Sequence, residues 1–451
     1  MSRRLGVFVL VAAAATFATV LVRTLAGEAL GSDAYSHLVW ARDAVRHGVT
    51  GHAPFDYTVP KPFEQAVALI GTKLGAATFV FEWTSLLGVL GCAVAAAALA
   101  HRLGRYPAAP LAALFALCLP VLWRGGPLGD SNVPYAALVV GAAAAGMCTP
   151  ACSGMLALAG TLRPEAWGLA VINAVLGWRR ATATARALSV LAALVPPVLW
   201  ATLDQVFTGD WSWSSDIVDA YDARFHPPLL HFSGLPEAVI SRVGDVSTWP
   251  VALLGLVALA AGLRGRLYDD AAVVFPLALV LALVVVVARG QISADDIGRM
   301  LTALAVFAAA GAAVALSQHT AGALRSSLAV VAVAAVPIAA APWLSGAVHD
   351  VRDQARQARG LAKVVAPALE RAAPAGYVAL PRQWQGQLAL AWDRPRSTFI
   401  PGRAIGKHNE VPLCKVGALI VPSAGRLPKW VRQVVLTRDW RAGVRAHPCS
   451  G

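Results

Sequence analysis

Charge is scarce in this chain. Asp, Glu, Lys and Arg make up 14% of its 451 residues while 57% are hydrophobic, a balance that excludes a soluble globular protein of this length. There is no Walker loop, no Gly-x-Gly-x-x-Gly, no His-Glu-x-x-His and no paired Cys-x-x-Cys, and no internal repeat is visible. The missing Walker loop argues against an ATP-driven pump. Cysteine is sparse as well: Cys92, Cys118, Cys148 and Cys152 fall in or beside apolar runs without metal-ligand neighbours and read as small core residues. Cys414 and Cys449 share the C-terminal tail, where an extracytoplasmic setting would allow a disulfide.

What the chain does have is a series of apolar runs able to cross roughly 30 Å of hydrocarbon. Short basic clusters, Arg3/Arg4, His101 to Arg105, Arg179/Arg180 and Arg264/Arg266, mark cytoplasmic ends. Between them about eleven spans are expected, at 5–25, 79–100, 107–122, 132–148, 153–162, 165–177, 186–206, 247–263, 271–288, 299–316 and 325–343. The first exceeds the apolar core of a cleaved signal peptide and is expected to stay as a signal-anchor. An odd count puts the N-terminus in the cytoplasm and the tail outside. The Ala-rich, Arg-over-Lys composition fits a GC-rich bacterial genome, so a bacterial plasma membrane is the expected location. The expected architecture is an all-α polytopic membrane domain, residues 1–345, followed by a small α/β soluble domain, 346–451. Polar helix 348–370 and strand-like runs at 376–380, 417–421 and 433–436 define the latter.

The positive charge is local. Of the net +13, +11 falls after Leu344, where 17 Lys and Arg face 6 Asp and Glu. A basic tail on a membrane protein points to anionic lipid headgroups or cell-wall polyanions, with no nucleic acid partner implied.

The outer loops are longer than the inner ones, and the notable polar residues lie there. In the first, Asp33 opens an expected helix that Ser32 can cap, with Ala34, Leu38, Ala41 and Val45 as an apolar stripe and Gly48 as its end. Such a helix suits the membrane surface. The helix dipole keeps a first-turn carboxylate ionised and able to accept a proton, although first-turn acids are also common without any chemistry. His37, one turn on, could orient Asp33 or touch a phosphate. A second helix, 63–74, follows Pro60-Lys61-Pro62. Asp130 closes the Gly125 to Asn132 loop, where it serves either a turn or a site.

Arg163-Pro164-Glu165 joins two spans of about half length, roughly 15–20 Å each at 1.5 Å per residue. Pro164 starts a fresh helix whose N-terminal amides can receive an anion. The charged pair must either neutralise itself or face a wet cavity. Arg289 and Arg299 bracket a last polar outer loop, as lipid anchors or as phosphate ligands.

Taken in order, Ser32-Asp33-Ala34-Tyr35, Gly129-Asp130-Ser131-Asn132-Val133-Pro134, Leu162-Arg163-Pro164-Glu165-Ala166-Trp167 and Gly298-Arg299-Met300-Leu301 resemble the GT-C superfamily of membrane glycosyltransferases over about residues 1–345. That group includes protein O-mannosyltransferases, lipid A aminoarabinose transferase and actinobacterial mannosyl- and arabinosyltransferases. The resemblance implies a polyprenyl-phosphate sugar donor, an envelope glycan, glycolipid or protein acceptor, and transfer with inversion. Asp33 would be the general base, and Lys61, Arg163, Arg299 and the helix start after Pro164 would meet the leaving phosphate. His37, Asp130, Glu165 and Arg289 would complete the substrate site. No cofactor is implied, although Asp33 and Asp130 could together hold a divalent metal. A flippase or carrier, or a GT-C-like scaffold without activity, are the alternative readings.

Overall fold

The structure is a computed structural model and describes residues 16, 20, 23–24, 30–48, 61–104, 108–179, 181–214, 234–264, 270–288, 297–319, 322–372, 377–381, 384–392, 399–401, 416–423, 427 and 431–445. In chain order its helices begin with α1 Ser32–His47, α2 Pro62–Lys73, α3 Ala77–Leu103, α4 Ala108–Leu117 and α5 Pro120–Gly125. They continue as α6 Asn132–Ala145, α7 Pro150–Gly160, α8 Glu165–Gly177, α9 Ala183–Thr208 and α10 Leu235–Val246. The bundle closes with α11 Trp249–Arg264, α12 Ala271–Ala288, α13 Ile297–His319 and α14 Gly322–Gly360. Among the described residues four helices are long and apolar enough to cross a membrane, Ala77–Leu103, Ala183–Thr208, Ala271–Ala288 and the Met300–Ser317 part of α13, and shorter apolar helices accompany them. Each expected span from 79–100 onward falls on a helix except 107–122, which falls on two. The first, 5–25, lies almost wholly outside the described residues, although Arg23 within it meets buried Glu82 of α3 at 2.5 Å.

Small residues let these helices close on one another, as packing without a hydrophobic drive requires. A Cβ on Gly88 of α3 would stand 2.7 Å from the backbone nitrogen of Pro134, so α3 and α6 touch at backbone distance. Cys92, Cys118, Cys148 and Cys152 are buried free thiols, and Cys414 and Cys449 lie outside the described residues.

Two expected elements come out differently. The span 107–122 is broken, because Pro120 lacks an N–H and starts the separate helix α5 after extended Leu119. Conversely, the last span and the polar helix of the tail are continuous: α14 has 39 residues, roughly 58 Å, and runs through the expected boundary at 345. A π-turn, Leu361–Val365, then leads into α15, Ala366–Ala372.

Beyond it lie α16, Gln385–Ala391, and the strands β1 Tyr377–Leu380, β2 Phe399–Pro401, β3 Val416–Pro422, β4 Val431–Leu436 and β5 Trp440–Arg445. They form one mixed sheet in the order β2-β1-β3-β5-β4, with β1 parallel to both β2 and β3 and β5 antiparallel to both β3 and β4. Trp440 packs edge-on to Trp384 at 5.4 Å and donates its Nε1–H to the Gln357 carbonyl, which fixes the sheet to the end of α14.

The tail domain rests on α1. Val39 joins the tail's hydrophobic core, and buried Arg42 donates through Nη1 to the Ala389 carbonyl at 2.9 Å. α1 is therefore not a surface helix with one wet face. Ala34, Leu38 and Ala41 are buried as expected, but so are Ser36, His37, Val39 and Trp40 on its other sides. Nor does Ser32 cap it: the N-cap is Gly31, whose N–H donates to the Leu128 carbonyl at 2.6 Å.

Candidate active site

Three chain breaks meet beneath α1. The first is the start of α1 itself, which presents Asp33 in its first turn. The second is the start of α2, where Lys61 is the N-cap and Pro62 sets the opening turn. The third is the break between α7 and α8, tied to α2 by the Phe63 N–H, which donates to the Thr161 carbonyl at 3.4 Å. The loop before α6 completes the enclosure, with Ser85 of α3 donating to the Asp130 carbonyl at 3.0 Å.

Lys61 is the hub. Its Nζ lies 3.1 Å from Glu64 Oε2, donates to Ser131 Oγ at 3.1 Å, and stands 3.8 Å from Asp33 Oδ2. Burial alone would lower the Lys61 pKa, but the carboxylates of Glu64, Asp33 and Asp130 outweigh it and hold the ammonium above its ordinary value. Burial alone would likewise raise Glu64, and Lys61 and then His37 hold it below the usual carboxylate range. His37 is fully buried, with Nε2 at 2.9 Å from Glu64 Oε2 and its ring stacked on Phe81. Its side chain turns inward to Glu64.

Arg163 and Glu165 form a two-point pair, Nη2 to Oε1 at 2.8 Å and Nε to Oε2 at 3.2 Å. Arg163 also donates to Asn132 Oδ1 and lies over the Tyr135 ring, 5.8 Å from its centre. Asn132 in turn donates its backbone N–H to Asp130 Oδ1 at 2.9 Å. The start of α8, expected to receive an anion, carries Glu165 at its first position instead.

The structure thus brings together Asp33, Lys61, Asp130, Arg163 and Glu165, with His37 behind them. Arg289 lies outside the described residues. Arg299 falls in the first turn of α13, and its side chain is not among those described. Sequence reasoning missed Glu64, and it gave Ser131 and Asn132 no role beyond their place in the Gly129 to Pro134 motif. The signal for Glu64 was available, since it stands three residues after Lys61 in the first turn of an expected helix. Among the described residues no three His, Cys, Asp or Glu side chains converge as metal ligands.

Of these groups Asp33 is the open one, its side chain 55% exposed against 18% for Lys61 and 6% for Glu64. The cluster therefore presents an accessible carboxylate backed by cations whose charge is already countered from within. A separate cavity of about 410 Å³ lies between α3, α10, α11, α12 and α13. Among the described residues its lining is apolar apart from Ser247 and holds no ionisable side chain.

No protein-family model matches the chain, and no curated protein sequence does. In three dimensions it is similar to ArnT from Cupriavidus metallidurans bound to undecaprenyl phosphate, with 16% identity and a TM-score of 0.60 over 96% of this chain and 97% of that one. It is also similar to the Archaeoglobus fulgidus oligosaccharyltransferase in the apo form, with 12% identity and a TM-score of 0.59 over 93% and 69%. A third similar structure is the oligosaccharyltransferase AglB from the same archaeon in complex with an inhibitory peptide and a dolichol-phosphate, at 13% identity and a TM-score of 0.53 over 93% and 69%. These are GT-C membrane glycosyltransferases, and the chain shares their fold.

Proposed function

We propose that this chain is a membrane glycosyltransferase that moves a sugar from a polyprenyl-phosphate donor to an acceptor hydroxyl on the outer face of the membrane, with inversion at the anomeric carbon. The observation that carries the reading is Asp33, half exposed beside an ammonium that other groups hold in place. Asp33 takes the hydroxyl proton as the acceptor oxygen attacks the anomeric carbon. The bond from that carbon to the phosphate oxygen breaks on the opposite side, and the lipid phosphate leaves as an anion.

Lys61 and Arg163 supply positive charge for that anion. They are outnumbered: Asp33, Glu64, Asp130 and Glu165 stand against these two. Binding a phosphate here calls for further cations, a role we assign to Arg289 and Arg299 on the outer loop before α13 and in its first turn. Asp130 orders Asn132 and through it Arg163. The undecaprenyl phosphate and dolichol-phosphate held by two of the similar structures support a lipid phosphate as ligand. In this reading residues 1–345 are the catalytic membrane domain and the tail is extracytoplasmic, offering its basic surface to an envelope acceptor.

Binding tests the reading without knowledge of the sugar. Undecaprenyl phosphate should bind the purified protein in nanodiscs more tightly than undecaprenol, and Lys61→Met should weaken that binding roughly 10-fold or more. Equal affinity for the phosphate and the alcohol would refute it.

A further inference from the structure

Glu64 has no part in the proton transfer, yet it is among the most enclosed charges of the cluster. Its carboxylate is 6% exposed, and its Oε2 lies between two nitrogens at ion-pair distance, Lys61 Nζ at 3.1 Å and His37 Nε2 at 2.9 Å. His37 is fully buried with its ring stacked on Phe81 of α3, 6.2 Å between centres, so the imidazole cannot swing away from the carboxylate without displacing core. An ammonium has three N–H donors. Glu64 and Ser131 stand at 3.1 Å from Lys61 Nζ, and Asp33, at 3.8 Å, is the next carboxylate in reach.

We propose that Glu64, braced by His37, is a positioning residue that keeps the Lys61 ammonium off Asp33 and aimed at the donor phosphate. This rests on Lys61 being the phosphate ligand. Were Glu64 uncharged, the half-buried ammonium would close on Asp33, the nearest carboxylate left. One movement would then tie up the cation that the phosphate needs and the carboxylate that the acceptor proton needs. Simple charge counting makes the opposite forecast, because removing an anion from an anion-binding site should tighten binding.

The test is a double-mutant cycle read by affinity for undecaprenyl phosphate in nanodiscs, with undecaprenol as the phosphate-free control and melting temperature followed in parallel. Glu64→Gln, close in shape, should weaken binding of the phosphate about 10-fold and leave undecaprenol unchanged. Adding Asp33→Asn should release Lys61 and restore wild-type affinity to within about 2-fold. Glu64→Asp, which keeps the charge but draws it back by one methylene, should lose affinity in the same direction and carries the test if the Gln variant does not fold. His37→Gln, which still offers an N–H, should keep the affinity that His37→Phe loses. The inference is overturned if Glu64→Gln binds undecaprenyl phosphate as well as wild type or better. It is equally overturned if the loss persists in the double variant, since a merely structural role for Glu64 would not be rescued at Asp33. Unchanged affinity in Lys61→Met would instead sink the assignment of Lys61 to the phosphate, and the two failures are thereby distinct.

Discussion

Arg163 and Glu165 face each other across a proline as a two-point ion pair, 2.8 Å and 3.2 Å, at the break between helices of 11 and 13 residues. Neither helix alone spans a bilayer, so the pair sits where irregular backbone must line protein or a wet cavity. Removing one partner leaves a poorly solvated charge uncompensated. Arg163→Ala should lower stability by about 3 kcal/mol, measured as a fall in melting temperature in detergent. Arg163→Met with Glu165→Leu should recover most of that loss while donor binding stays impaired. A structural pair with no role in binding would recover both.

Packing in the bundle makes a separate forecast. With the Pro134 backbone 2.7 Å from where a Cβ would sit, Gly88→Ala forces α3 and α6 apart. A loss of about 1–3 kcal/mol is expected, visible as a lower melting temperature. Gly154→Ala, at a position with open space around it, serves as the neutral control.

The Lys61–Glu64 pair sets a pH window. Glu64 is held below its ordinary value of 4.5, so its contribution to stability is complete above that pH and fades as pH falls through the lowered value. Lys61 is held above 10.5, so its contribution is complete below that pH and fades as pH rises through the raised value. The melting-temperature gap between wild type and Glu64→Gln should therefore be constant near neutrality and shrink in acid. The gap to Lys61→Met should shrink in alkali. A gap that does not change with pH would show that the pair is not ionised in the folded protein.

Much of the candidate site was legible because charge is costly in so apolar a chain, and each ion near the end of an apolar run therefore stood out. Asp33, Lys61, Asp130, Arg163 and Glu165 were found that way. What joins them was not visible, since the contacts bridge distant segments: Lys61 to Ser131 across 70 positions and Arg163 to Asn132 across 31. The same holds for α1. Its periodic apolar stripe showed one buried face, while Val39 and Arg42 on other faces are covered by a tail whose Ala389 lies 347 positions away from Arg42.

In the tail, strand β5 was missed because Arg441, Gly443 and Arg445 break the apolar pattern. Gly443 is needed there, since a Cβ would meet the Val431 side chain and, at 2.6 Å, the Arg432 carbonyl across the sheet. The continuity of α14 was hidden by a change of composition near Ser345 that alters polarity without breaking the helix.

The most direct measurement of the account is mass spectrometry of polyprenyl-phosphate sugars and envelope glycans in cells lacking the gene, complemented with wild type or with Asp33→Asn. Asn keeps the size of Asp33 and removes the base, so turnover should fall on the order of 100-fold or more with expression intact. One polyprenyl-phosphate sugar should then accumulate without the gene, disappear with wild type and persist with Asp33→Asn, alongside a glycan residue that only wild type restores. Restoration by Asp33→Asn would contradict the account.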